Sequence, residues 1–295
     1  MMSYRKDKIL SLTGVEVNDL GLDEIKEQSR LMLEQKMHGI CFSPYEGSQK
    51  PGDDISEDQI RRKLALLQPY TKWIRVFSCS QGNELIPKLA REYGFKTLVG
   101  AWLGDDFEKN EIEIQGLIDL AKAGFVDVAA VGNEVMYRKE MTEEELISYI
   151  KRVKLALPEV PIGYVDAYYE FTNRPEITNE CDVILANCYP YWEGCSIEYS
   201  LLYMKQMYYQ AKQAAPDKRV IITETGWPSA GDALGAAIPG YENALKYFVN
   251  AQAWSQTEGI EMFYFAAFDE GWKVGDEGSV GASWGLWDEN EKLKF

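Results

Sequence analysis

Histidine is almost absent from this 295-residue chain, which has one, His38. No Ser-His-Asp triad assembles without it, and no multi-histidine metal centre is available. His38 stands just before an apolar stretch and reads as a structural residue. Any acid–base chemistry therefore falls to carboxylates, tyrosines or lysines. Basic charge is also scarce: 31 Lys and Arg against 47 Asp and Glu leave a formal charge of −16. That sign repels phosphate backbones, anionic membranes and acidic polysaccharides, so no nucleic-acid or membrane partner is expected and a neutral substrate is. No run approaches the roughly 18–20 apolar residues of a membrane span. Residues 1–10 have basic side chains but no apolar core after them, so no signal peptide is expected there, although a trimmed secreted or periplasmic parent remains compatible. The five cysteines, Cys41, Cys79, Cys181, Cys188 and Cys195, are odd in number and lack CxxC spacing. Free buried thiols in a reducing, cytoplasmic compartment are expected. No GxGxxG follows the first apolar stretch and no P-loop appears, so no cofactor and no metal are expected.

What the chain does have is a core and an excess of aromatic residues. Hydrophobic residues make up 46%, enough for a full-sized interior. Eight Trp and eighteen Tyr exceed what such an interior needs, and flat sugar rings pack well on aromatic faces. Residues 1–21 show no clear periodicity. Apolar positions Leu22, Ile25, Leu31, Met32 and Leu33 then suit a helix over 22–36. From there apolar strands and amphipathic helices alternate. Strands are predicted at 39–45, 73–77, 97–102, 126–131, 161–165, 183–186, 220–223 and 261–268. Helices are predicted at 57–67, 84–93, 111–123, 143–157, 196–214 and 240–258, with a short piece near 168–173. The tail from 269 to 295 has little helix pattern. Eight β/α units in roughly 250 residues is the count of a (β/α)8 TIM barrel. A doubly wound open sheet is the alternative, and it lacks its nucleotide fingerprint. No linker or repeat divides the chain, so one α/β domain over 1–295 is expected, with 1–37 as an N-terminal extension and helix before the first strand. A monomer is expected.

Functional residues of such barrels gather at the C-terminal ends of the strands. Those ends carry Tyr45, Arg75, Trp102, Asn133-Glu134, Asp166, Asn187 with Tyr189 and Trp192, Glu224, and Asp269-Glu270 with Trp272 and Lys273. Acids, amides and aromatics thus share one rim. Glutamates at the ends of strands 4 and 7 face each other across it. Such a pair suits glycosidic cleavage, one as proton donor and the other as nucleophile, without histidine or metal. Taken singly, Glu224 also reads as a strand-end acid facing water, and Asn133-Glu134 as a capping pair.

Val131-Gly-Asn-Glu134-Val and Thr223-Glu224-Thr-Gly-Trp-Pro-Ser229 resemble the two active-site signatures of glycoside hydrolase family 17, the β-1,3-glucanase family. Phe268-Asp-Glu-Gly-Trp-Lys273 and Trp284-Gly-Leu286 resemble its C-terminal signatures. Ser43-Pro-Tyr45, Trp73-Ile-Arg75 and Tyr189-Pro-Tyr-Trp-Glu-Gly194 are similar to those of its smaller bacterial and fungal members. The resemblance spans residues 38–295 and implies retaining cleavage of β-linked glucan. It implies Glu134 as general acid/base, with a raised pKa, and Glu224 as nucleophile about 5 Å away. Asn133 would bond the sugar 2-hydroxyl, and Arg75 would hold Glu224 in its charged form. Tyr45, Tyr189, Trp192, Trp227, Glu270, Trp272 and Lys273 would line subsites. Ser283 stands where the small bacterial members often have histidine, and residues 1–20 have no counterpart. Three other functions stay open: a glucan transglycosylase on the same site, a non-catalytic glucan-binding barrel, and an aldolase-type barrel using Lys273 as a Schiff-base amine.

Overall fold

The structure is a computed structural model and describes residues 20–295. The expectations for the extreme N-terminus, an extension without a leader, fall on residues 1–19 and lie outside the described residues. The chain then runs α1 (Leu22–Glu34), β1 (Met37–Cys41), α2 (Glu57–Leu67), β2 (Thr71–Val76), α3 (Leu85–Glu92) and β3 (Lys96–Ala101). It continues through α4 (Phe107–Lys122), β4 (Val128–Asn133), α5 (Glu143–Ala156), β5 (Ile162–Ala167), α6 (Glu170–Asn173) and α7 (Pro175–Glu180). Last come β6 (Val183–Asn187), α8 (Ile197–Ala214), β7 (Arg219–Thr225), α9 (Tyr241–Glu258), β8 (Met262–Tyr264) and a tail of short turns with α10 (Val274–Glu277).

The eight strands pair in sequence order, all parallel, and β8 closes onto β1. This is the expected (β/α)8 barrel. Parallel strands covered on both faces must be apolar throughout, and β6 shows it: Val183, Ile184, Leu185 and Ala186 are all buried. Burial of each such Val, Ile or Leu contributes about 1.5–3 kcal/mol. The helices present one apolar stripe to the sheet, as in α3, which buries Ile86, Pro87, Leu89 and Ala90. Local caps fix where they start. Ser56 accepts from Gln59 N at 3.2 Å to begin α2, and Thr142 with Glu145 forms a capping box for α5.

Several boundaries differ from expectation. Helix α4 begins four residues earlier than the apolar pattern indicates, because Asp106 caps it by accepting from Lys109 N. Strand β8 stops at Tyr264 rather than 268. Beyond it, Ala266 N turns to Trp284 O at 3.0 Å, while Ala267 N bonds Cys41 O at 2.9 Å. Strand β1 ends at Cys41 rather than 45, since Pro44 has no N–H for a ladder. Helix α7 and the short turns of the tail were not anticipated.

Strand register is irregular at three places: Ala130/Asn133 between β4 and β5, Ala186/Asn187 between β6 and β7, and Ile222/Thr225 between β7 and β8. All three lie near the C-terminal rim. Bulges re-aim side chains at such rims, and these three flank Glu134, Asn187 and Glu224.

Candidate active site

Strand β7 supplies Glu224 from a segment that is apolar up to Thr223 and buried throughout its last six residues. Both carboxylate oxygens are taken. Arg75 Nη1, from β2, donates to Oε1 at 2.6 Å, and Tyr189 Oη donates to Oε2 at 2.8 Å. The second arm of the guanidinium, Nη2, donates to Asn133 Oδ1 at 2.7 Å. Its Cζ lies 4.2 Å from the centre of the Phe77 ring. Arg75 is 2% exposed. One buried cation thus joins β2, β4 and β7 through hydrogen bonds worth about 1.5–3 kcal/mol each when charged. Burial pushes the Tyr189 phenol well up, and the Glu224 charge adds to it, so Tyr189 stays a donor.

Glu134 follows β4 directly and has a different environment. Its backbone is left-handed, with φ 54°, a conformation that costs about 1–3 kcal/mol for a residue with a Cβ and concentrates at active sites. Its N–H donates to Val165 O at 2.8 Å, and Asn187 Nδ2 donates to its Oε1 at 2.8 Å. Thr223 Oγ1 in turn fixes Asn187 by donating to Oδ1 at 2.8 Å. Burial pushes the Glu134 carboxyl up to about 7, and the Glu224 charge adds to this; Asn187 opposes it, Asp166 adds again and Arg138 opposes. The two glutamates are therefore set apart, Glu224 against a guanidinium and Glu134 half-buried beside other acids.

The segment after β8 forms the adjoining wall. Lys273 Nζ pairs with Glu270 Oε2 at 2.5 Å and sits 4.1 Å from the Phe265 ring centre. Burial opposes the Lys273 charge, but Glu270 and Glu277 outweigh it and raise its pKa. A Schiff-base lysine needs a neutral amine at working pH, so this arrangement disfavours the aldolase reading. Trp272 Nε1 donates to Glu270 Oε1 at 3.1 Å, and its ring meets the edge of Tyr45, whose Oη accepts from Asn83. Trp192 is 42% exposed and packs on Tyr191 and Trp284. Of the expected subsite residues, Trp227 is the most deeply buried. It is 1% exposed, its indole N–H donates to Ile238 O at 3.0 Å, and Tyr191 and Tyr247 pack on its ring. Trp227 supports the β7 loop from within and presents no face to a substrate.

Sequence reasoning gave no site role to Asn187, Trp284 or Glu277. Asn187 stands at a strand end, which was its signal. Trp284 packs on Tyr189, Tyr191, Trp192 and Phe265, and its tryptophan in a family-like run was the available clue. Glu277 had no signal. Burial pushes it up to about 7, with Lys273 opposing and Glu270 and Glu224 adding. All five cysteines are free, four of them buried, and burial pushes the Cys41 thiol beside Arg75 up to about 12. His38 lies at the opposite end of the barrel, stacked on Trp73 at 5.5 Å. Among the described residues no cluster of His, Cys, Asp and Glu has the arrangement of a metal site.

Residues 39–285 match the model of the BtgE/BtgC glycoside hydrolase domain. A glucan 1,3-beta-glucosidase of Arthroderma benhamiae is 31% identical over 236 residues, spanning 74% of this chain and 76% of its own length. The Candida albicans glucan 1,3-beta-glucosidase BGL2 is 29% identical over 258 residues, spanning 79% and 83%. The family 17 β-1,3-glucanosyltransferase of Rhizomucor miehei superposes with a TM-score of 0.78 at 29% identity, over 88% of this chain and 96% of that one. An active-site mutant of that enzyme in complex with laminaritriose superposes equally well, at 28% identity.

Proposed function

The chain belongs to the BtgE/BtgC-type glycoside hydrolases of family 17, and on that premise we propose that it cleaves β-1,3-glucan with retention of configuration, using Glu224 as nucleophile and Glu134 as general acid/base. The observation that carries this reading is the contrast between the two carboxyls. Glu224 sits between Arg75 and Tyr189 as an acceptor of two hydrogen bonds. Glu134 is pushed up to about 7, as a proton donor working near neutrality requires.

The steps follow from that contrast. A Glu224 oxygen attacks the anomeric carbon as the glycosidic C–O bond breaks. The electron pair of that bond goes to the leaving oxygen, which takes its proton from Glu134. A covalent glycosyl-enzyme and an ionised Glu134 result. Glu134 then removes a proton from water, the resulting oxygen bonds to the anomeric carbon, and Glu224 leaves as carboxylate. Two inversions give the β-product. Such a pair stands about 5 Å apart. Arg75 and Tyr189 orient the nucleophile and spread its charge until it attacks. Asn133, oriented by Arg75, is the candidate partner for the sugar 2-hydroxyl. Tyr45, Trp192, Glu270, Trp272 and Lys273 line the subsites.

A second reading has one observation in its favour, the similarity to the Rhizomucor miehei glucanosyltransferase. A sugar hydroxyl replaces water in the second step, and the first half of the reaction is unchanged. Incubation with laminari-oligosaccharides, followed by proton NMR and chain-length analysis, tests both. Retention gives the β-anomer first, and an initial α-anomer contradicts it. Products longer than the substrate signal transfer, whereas shorter products alone signal hydrolysis.

A further inference from the structure

The residue after a β4 bulge does not hold a left-handed backbone unaided, and the groups that hold it here come from β5. Tyr164 and Asp166 are i and i+2 on that strand, so they share one face. Tyr164 is 1% exposed and Asp166 fully buried. The Tyr164 hydroxyl donates to Asp166 Oδ2 and accepts from Met136 N at 2.9 Å. The same Asp166 oxygen accepts from Tyr137 N at 3.3 Å, while Oδ1 accepts from Ala167 N at 2.7 Å. Glu134 N donates to Val165 O, between the two. Three N–H groups within four residues, those of Glu134, Met136 and Tyr137, are thus fastened to consecutive residues of β5. The Tyr164 ring also covers Gly132, whose φ is 85° and where an added Cβ would lie 3.4 Å from the ring.

We propose that Tyr164 and Asp166 act as a positioning pair for Glu134, clamping the turn that aims its carboxyl at the leaving oxygen. The pair serves no apparent need of the barrel itself. A buried carboxylate and phenol are costly in a core, and apolar residues would fill β5 as they fill β6. Asp166 also acts through charge. Glu134 faces Glu224 from β7, Asp166 from β5 and Arg138 from its own loop, besides the neutral Asn187. Asp166 faces Tyr164, Glu134 and Glu170, and burial pushes its own pKa up to about 6.

The inference rests on Glu134 being the acid/base, and the experiment separates the two claims. Glu134→Gln, Asp166→Asn and Tyr164→Phe are compared on laminari-oligosaccharides and on a dinitrophenyl laminarioside, whose leaving group needs no proton. The expected result for Asp166→Asn is a kcat on oligosaccharide roughly 10- to 100-fold lower, with KM changed by less than about threefold. On the aryl glycoside, kcat/KM should fall less than about fivefold, because protonation of the leaving group is bypassed. The alkaline limb of the Asp166→Asn pH profile on oligosaccharide should move to lower pH, since one of the anions that raise the Glu134 pKa is gone. Tyr164→Phe keeps the carboxylate and should lose oligosaccharide kcat without that movement; it also serves if Asp166→Asn does not fold. Equal losses on both substrates, or an unchanged kcat and pH profile in the folded variants, would overturn the clamp. Retention of oligosaccharide activity in Glu134→Gln would overturn the acid/base assignment and the clamp with it.

Discussion

The two ends of the barrel hold the same kinds of residue under different conditions. At the N-terminal end, Arg219 pairs with Glu261 at 2.5 Å, the side chains 38% and 30% exposed. Beside them His38 stacks on Trp73 and meets Phe263 edge-on, and burial brings its pKa down to about 4, so it is neutral at pH 7. At the C-terminal end, Arg75 pairs with Glu224 at a similar 2.6 Å, but the side chains are 2% and 9% exposed. The first pair trades water for a partner at little cost and little gain. The second gives up hydration that a pair of apolar side chains would not need, and breaking it strands a charge. A fold keeps such a pair where the charge has work to do, which separates the chemical end of the barrel from the structural end.

Breaking the buried pair should have the largest effect. Arg75→Met is predicted to lower kcat by at least about 100-fold, since it frees Glu224 and unties Asn133, and to destabilise the fold by about 3–5 kcal/mol. Steady-state kinetics and denaturant unfolding check this. A variant with wild-type kcat would remove Arg75 from the mechanism. Arg75→Lys is no substitute, because one ammonium does not reproduce the two arms that reach Glu224 and Asn133.

The next effect concerns pH. In the proposed mechanism Glu134 must carry a proton to donate it, and its carboxyl is pushed up to about 7. Activity should therefore hold below that value and fall as pH rises through about 7. The kcat/KM profile on oligosaccharides reads this limb directly. A limb near the ordinary carboxyl range would mean that Glu134 is not in the half-buried, acid-flanked setting described here.

The smallest effect belongs to the other end. Arg219→Ala should cost no more than about 1 kcal/mol and leave kcat within error, because the pair it breaks is exposed. A kcat loss there comparable to that of Arg75→Met would erase the distinction between the two ends.

The barrel was legible in the sequence because its strands are apolar on both faces and alternate with helical patterns. Both glutamates were legible because each ends such a strand. What escaped is what depends on partners distant along the chain. Asn187 reaches Glu134 across 53 positions, and Tyr164 reaches Met136 across 28. Trp227 looked like a sugar platform because it follows Glu224 in a family-like run, yet the Ile238 carbonyl takes its N–H and turns the ring inward. Strand ends were the least legible boundaries, since β4 and β7 run on through polar residues to Asn133 and Thr225.

The nucleophile is the centre of this account, and it can be observed. A dinitrophenyl laminarioside with fluorine in place of the 2-hydroxyl reacts in the first step and stalls in the second. Mass spectrometry of the digested protein should show one fluorinated glycosyl adduct, on Glu224. An adduct on another residue, or turnover with no adduct and an α-product, would contradict the assignment.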